Sequence, residues 1–130
     1  MKKTIFLFLL LPIVASCSGS SAITDKQNQV TDAPLETQSG EVTINMTEDG
    51  FVPDEIKITK GTKVTFKNSD KFYHWPASDL HPSHSQYSDF DPRRTIEPGE
   101  SWSFVFDKVG EWGMHDHISP YMIGKIHVVE

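Results

Sequence analysis

From Glu41 to the C-terminus, hydrophobic residues recur at every second position. The sets are Val42, Ile44 and Met46; Ile56 and Ile58; Val64 and Phe66; Trp102, Phe104 and Phe106; Ile126 and Val128. Successive side chains of an extended strand point to opposite faces, so this period places each set on one buried face. Turn signals interrupt the runs at Asp49-Gly50, Lys60-Gly61, Pro98-Gly99 and Val109-Gly110. No stretch carries the stripe of an amphipathic helix. The pattern predicts an all-β Greek-key sandwich or barrel over residues 41–130.

Two segments depart from the alternation. Ser69–Pro92 is long, polar and rich in His and aromatic residues, and a connection of that length is either functional or disordered. Tyr73, Trp75, Pro82, Tyr87 and Phe90 favour order, as loop anchors or as a binding surface. Residues 18–40 are dominated by Ser, Thr, Gln and Asp. Too little apolar surface is available there to offset chain entropy, which predicts a flexible stalk.

Ahead of the stalk, two lysines precede an apolar run from Ile5 to Val14, about half the length a membrane-spanning helix requires. Val14-Ala15-Ser16-Cys17 resembles a bacterial lipobox. That resemblance implies a signal peptide over residues 1–16 and a lipid on Cys17, with residues 17–40 serving as lipidated cysteine and linker. The expected location is the periplasmic face of the bacterial envelope. Ser18 after the cysteine points to the outer membrane if the cell is Gram-negative.

The 130 residues suffice for one small domain and carry 12 basic against 18 acidic side chains, a net charge of −6. Without Lys2 and Lys3 the balance is 10 against 18, or −8. A chain this acidic excludes nucleic acid as an expected partner. Cys17 is the one cysteine in the sequence. An intramolecular disulfide and a cysteine-based zinc cluster are therefore excluded, and the predicted domain has no thiolate.

Six histidines remain, at positions 74, 81, 84, 115, 117 and 127. His127 alternates with Ile126 and Val128 and is expected to face solvent. His115 and His117 stand two apart, so on a strand they share a face with side chains about 7 Å apart. Two imidazoles so placed can converge on one metal ion. His74 lies near the start of the long segment, and His81 and His84 lie further along it as His81-Pro82-Ser83-His84. Each of those two is as readily a solvated loop residue as a ligand.

Residues 51–68 resemble the F-x-P-x-x-I-x-I-x-x-G-T-x-V-x-F-x-N block of the cupredoxin family. Ile96–Phe106 is similar to its P-G-E strand, and Pro120–Val128 to its closing P-x-M-x-G strand. The resemblance implies a cupredoxin-like fold, with His74 at the first copper-ligand position and Met122 at the axial one. It also exposes a departure: where blue-copper members have Cys-x-x-His, this chain has Asp116 and Ser119. A thiolate, two imidazoles and a weak axial Met cannot assemble there. Gly110–His117 instead resembles the G-x-x-W-x-H-S-H segment of multicopper oxidases, whose His-x-His pair binds copper through nitrogen alone.

Two arrangements follow. In the favoured one, His115 and His117 bind copper with His74, beneath the loop carrying His81 and His84. In the other, His74, Asp116 and Met122 reuse the family's slot. Zinc would also accept an imidazole site. The leading expectation is a tethered copper-binding protein for storage, delivery or tolerance, with a copper donor or acceptor protein as partner. The alternatives are a mononuclear copper oxidoreductase with a site at an oligomer interface, Asp116 or Asp79 serving as acid–base group, and a metal-free envelope interaction module. A binding role is favoured over catalysis.

Overall fold

The computed structural model describes residues 34–130. The expected signal peptide, Cys17 with its expected lipid and most of the expected stalk lie outside the described residues. The described residues form nine strands and no helix: β1 Thr37–Gln38, β2 Glu41–Thr47, β3 Gly50–Val52, β4 Glu55–Thr59, β5 Thr62–Asn68, β6 Pro76–Ser78, β7 Ser101–Phe106, β8 Gly110–Asp116 and β9 Ile123–Val129. One sheet has the order β1-β4-β9-β8-β6 and the other β3-β2-β5-β7. The two pack as a sandwich.

The period-two positions become its interior. Ile44, Met46, Val64 and Phe66 face Ile56, Ile58, Met114 and Ile126 across the two sheets, all buried. Each such side chain contributes about 1.5–3 kcal/mol when removed from water. Register follows from this burial, because a one-residue slip would turn an entire apolar set outward. The sheets are mixed: β2 runs parallel to β5 and β4 parallel to β9, while β5–β7 and β8–β9 are antiparallel.

Besides β3, which pairs back onto β2 at the Asp49-Gly50 turn signal, two strands lie where the sequence pattern predicts none. Thr37–Gln38, expected in the stalk, pairs with Lys57–Ile58 as a short parallel edge, so the ordered domain begins ahead of Glu41. Pro76–Ser78, expected within the long loop, pairs antiparallel with Met114–Asp116. Both are too short for alternation to reveal them. The second matters more, because it ties the long loop to the strand carrying His115.

The rest of that loop is held by aromatic burial. Phe90 is fully buried, with ring centroids 5.3 Å from Phe66, 5.1 Å from Phe106 and 5.8 Å from Trp102. Tyr87 packs edge-on to Phe104 and Phe106 and donates its hydroxyl to Asp107. These two are loop anchors, whereas Tyr73 stays half exposed. The anchored segment folds back over β8.

Candidate metal centre

His115 and His117 project from the end of β8 on the face opposite Met114, as their spacing requires. That face is not left to solvent. The segment leaving β6 crosses it and lowers His81 and His84 onto the pair. Donor nitrogens of His81, His84, His115 and His117 all lie within 4.8 Å of one another. His81 Nδ1 stands 3.2 Å from His115 Nε2, and His84 Nε2 stands 2.9 Å from His117 Nδ1. His84 has a backbone φ of 51°. This left-handed conformation is uncommon for a residue with a β-carbon and marks a side chain held by its surroundings.

Carboxylates stand behind two of the rings. His115 Nδ1 donates to Asp79 Oδ1 at 2.9 Å, and His84 Nδ1 donates to Asp91 Oδ2 at 2.7 Å. An N–H used in this way leaves a lone pair on the opposite nitrogen, so both Nε2 atoms point into the cluster as donors to a cation. His117 lies against Trp75 with ring centroids 4.7 Å apart, and its amide donates to the Trp75 carbonyl. The Trp75 indole N–H in turn donates to Asp91 Oδ1 at 2.7 Å. Gly113 makes room for Asp79: a β-carbon there would meet Asp79 Oδ2 at 2.2 Å.

The electrostatics favour neutral rings at His115 and His117. Burial lowers the His115 pKa below the ordinary histidine value despite the opposing pull of Asp79. Burial also lowers that of His117, helped by the neighbouring His84, His81 and His115. Asp91 stays ionised: burial works against its charge, but bonds from His84, Trp75 and the Arg93 amide outweigh that effect. Imidazoles backed by hydrogen-bonded carboxylates form a donor set for a divalent cation. With metal–nitrogen bonds near 2.0–2.1 Å, a four-coordinate ion, tetrahedral or square planar, spreads its donors about 2.9–4.2 Å apart. The cluster is within a small contraction of that spread, so the residues fit a borderline metal bound through nitrogen alone.

His74 and Met122 are not brought to this cluster. His74 is buried at the other face of Asp116, donating from Nδ1 to Asp116 Oδ2 and from Nε2 to Asp70 Oδ2, the latter at 3.1 Å. Burial alone would depress its pKa, but Asp116 and Asp70 together hold it above the usual value. The second Asp116 oxygen accepts the Ile118 amide at 2.8 Å and the Trp75 and Ser119 amides at 3.3 Å. Met122 is buried behind this pair. A protonated His–Asp pair thus fills the slot in which His74, Asp116 and Met122 were considered as ligands. Beside it opens an apolar groove of about 640 Å³, bordered by Phe72, Tyr73, Ile118 and Tyr121. His127 lies on the outer face of β9, 2.6 Å from Glu55.

Sequence reasoning singled out His115 and His117 with His74, His81 and Met122 as further ligands, and left open whether His81 and His84 bind or are solvated. It named Asp79 only as a possible acid–base group and assigned no role to Asp91. It gave Trp75 as a loop anchor or part of a binding surface, without a link to the histidines. No local motif links Asp91 to His84, because the link depends on how Phe90 seats the loop.

Residues 6–128 match the model of a family described as cupredoxin-like domain. No curated protein sequence matches the chain. Among solved structures, a purple cupredoxin from Nitrosopumilus maritimus is 21% identical with a TM-score of 0.59, over 68% of this chain and 99% of that one. A variant of amicyanin in its reduced state is 18% identical with a TM-score of 0.58, over 69% and 83%. The copper-containing nitrite reductase NirK from Thermus scotoductus SA-01 is 29% identical with a TM-score of 0.57, over 69% of this chain but 22% of that one.

Proposed function

This chain belongs to the cupredoxin-like domain family, and from that premise, with its four convergent imidazoles, we propose a membrane-tethered copper-binding protein for storage, delivery or tolerance. The observation that carries the reading is the pairing of His115 with Asp79 and His84 with Asp91, each turning Nε2 toward His81 and His117. Hydrogen-bonded carboxylates of this kind orient metal-binding histidines and raise their basicity. Nitrogen donors suit Cu(II), and zinc accepts them as well. Bound there, copper would be held without a thiolate, so the rapid electron transfer of a blue-copper site is not the role proposed.

The tether rests on the lipobox-like Val14–Cys17 and places the domain at the periplasmic side of the bacterial envelope. A copper donor or acceptor protein is the partner this role implies. The oxidoreductase alternative is less well supported, because four protein donors close a site in the manner of structural or storage centres, whereas catalytic sites keep a position open.

Metal analysis and Cu(II) EPR of the purified full-length protein in detergent test this reading. The expected result is one copper per chain with a nitrogen-rich type 2 spectrum, lost in a His84→Ala/His115→Ala variant. Binding of zinc alone, or no stoichiometric metal, refutes the copper role. Release of a Cys17→Ala variant from the membrane fraction is the expected result for the tether.

A further inference from the structure

The four imidazoles are not held alike. His84 is buried and tied to Asp91, which also accepts the Trp75 indole and the Arg93 amide. His115 is buried and tied to Asp79. His117 is fixed by Trp75 through both ring contact and its backbone amide. His81 is exposed, and among the described residues its one hydrogen bond runs into the cluster, to His115. No carboxylate or carbonyl there holds its outer nitrogen. Its neighbours Leu80, Pro82 and Ser83 are exposed as well.

Resting on the copper-site reading above, we infer that His81 is the exchange ligand of this centre. Metal enters and leaves on its side, through replacement of its ring nitrogen by one donor of an incoming protein. In the exchange the metal–His81 bond breaks and a bond to the incoming donor forms from that donor's lone pair. The oxidation state does not change and no proton is moved. The chemistry of the incoming donor follows from charge. Asp79 and Asp91 already balance a divalent ion, so a neutral donor replaces neutral His81 without changing the charge of a largely buried site. An anionic thiolate would leave one uncompensated negative charge. Among neutral donors, imidazole matches this all-nitrogen set for a divalent ion where a soft thioether does not, so the partner is a protein that presents an imidazole.

Free imidazole serves as the probe, with copper-loaded full-length wild type, His81→Ala and His84→Ala. The exposed position of His81 makes its truncation compatible with folding. His81→Ala is expected to keep one copper per chain with affinity within about tenfold of wild type, while His84→Ala falls by more than about 100-fold. Added imidazole should restore the wild-type EPR spectrum to His81→Ala and not restore binding to His84→Ala. Copper should also pass from His81→Ala to a chelator faster than from wild type. Equal loss of copper in both variants, or a His81→Ala spectrum indifferent to imidazole, overturns the inference while leaving the copper site standing. A wild-type protein that takes up no copper overturns the site and the inference together.

Discussion

Asp116→Asn separates a slot filled by a proton from a slot built for a metal. The asparagine oxygen can keep the bonds that Asp116 Oδ1 accepts from the Trp75, Ile118 and Ser119 amides, so the turn after β8 is preserved. What is lost is the charge-assisted bond from buried His74. Such a bond contributes about 1.5–3 kcal/mol, and the asparagine amide can still donate to a neutral His74, so a cost near 2 kcal/mol is expected rather than that of an orphaned charge. For a domain of this size, each kcal/mol lowers Tm by about 4–8 °C. The cost carries a pH signature. The His74 pKa is raised in the folded state, so its contribution is complete below the unfolded value near 6.5 and fades as pH climbs through the folded value. The Asp116 pKa is lowered: burial opposes its charge, but His74 and the turn amides outweigh that, so its contribution is complete above about 4 and fades as pH falls through the folded value. The stability gap between wild type and variant should be widest between about pH 4 and 6.5 and narrow above that. Urea denaturation in chelator, followed by tryptophan fluorescence across this range, measures it. Copper stoichiometry should be unchanged. A gap that widens with pH, or loss of copper in the variant, would refute the view that His74 and Asp116 stand outside the metal centre.

Three further outcomes are expected. Gly113→Ala places a β-carbon against Asp79 and should push it off His115, weakening copper binding by about 10–100-fold, as should Asp79→Asn; wild-type affinity in an isothermal titration would contradict that role. Because His115 and His117 have lowered pKa values, protons should compete with copper only in more acid solution than for free imidazole. Half-loss of the EPR signal should fall below about pH 6.5, and a midpoint at neutral pH would argue against these ligands. Phe90→Ala should cost about 3–5 kcal/mol by emptying the space among Phe66, Trp102 and Phe106 and loosening the loop that carries His84 and Asp91. Chemical denaturation showing a loss below about 1 kcal/mol would rule out that anchoring role.

Particular residues show how far the chain could be read unaided. Val42, Ile44 and Met46, Ile56 and Ile58, and Ile126 and Val128 are buried where alternation places them, because a strand has only two faces and one of them must leave water. The two-residue spacing of His115 and His117 sends both rings to the face away from Met114 for the same reason. The cupredoxin likeness and the missing thiolate were equally legible, since both are local patterns. Strands β1, β3 and β6 were not legible, because three residues or fewer cannot show a period, and the pairing of β1 and β6 is set by distant partners.

The sequence by itself therefore determined the fold class, the absence of a thiolate ligand in the domain and the existence of an outward imidazole pair. Only the tertiary structure decided which histidines complete it. His74 lies near the start of the same segment and is the companion the sequence reading favours, yet Asp116 and Asp70 hold it as a buried ion pair. His84, separated from His117 by 33 positions, reaches it because Tyr87 and Phe90 seat the loop over β8. Strand alternation follows from local geometry. Convergence of side chains on one point depends on how a long segment buries its own aromatics, and that is settled by packing between residues far apart in the chain.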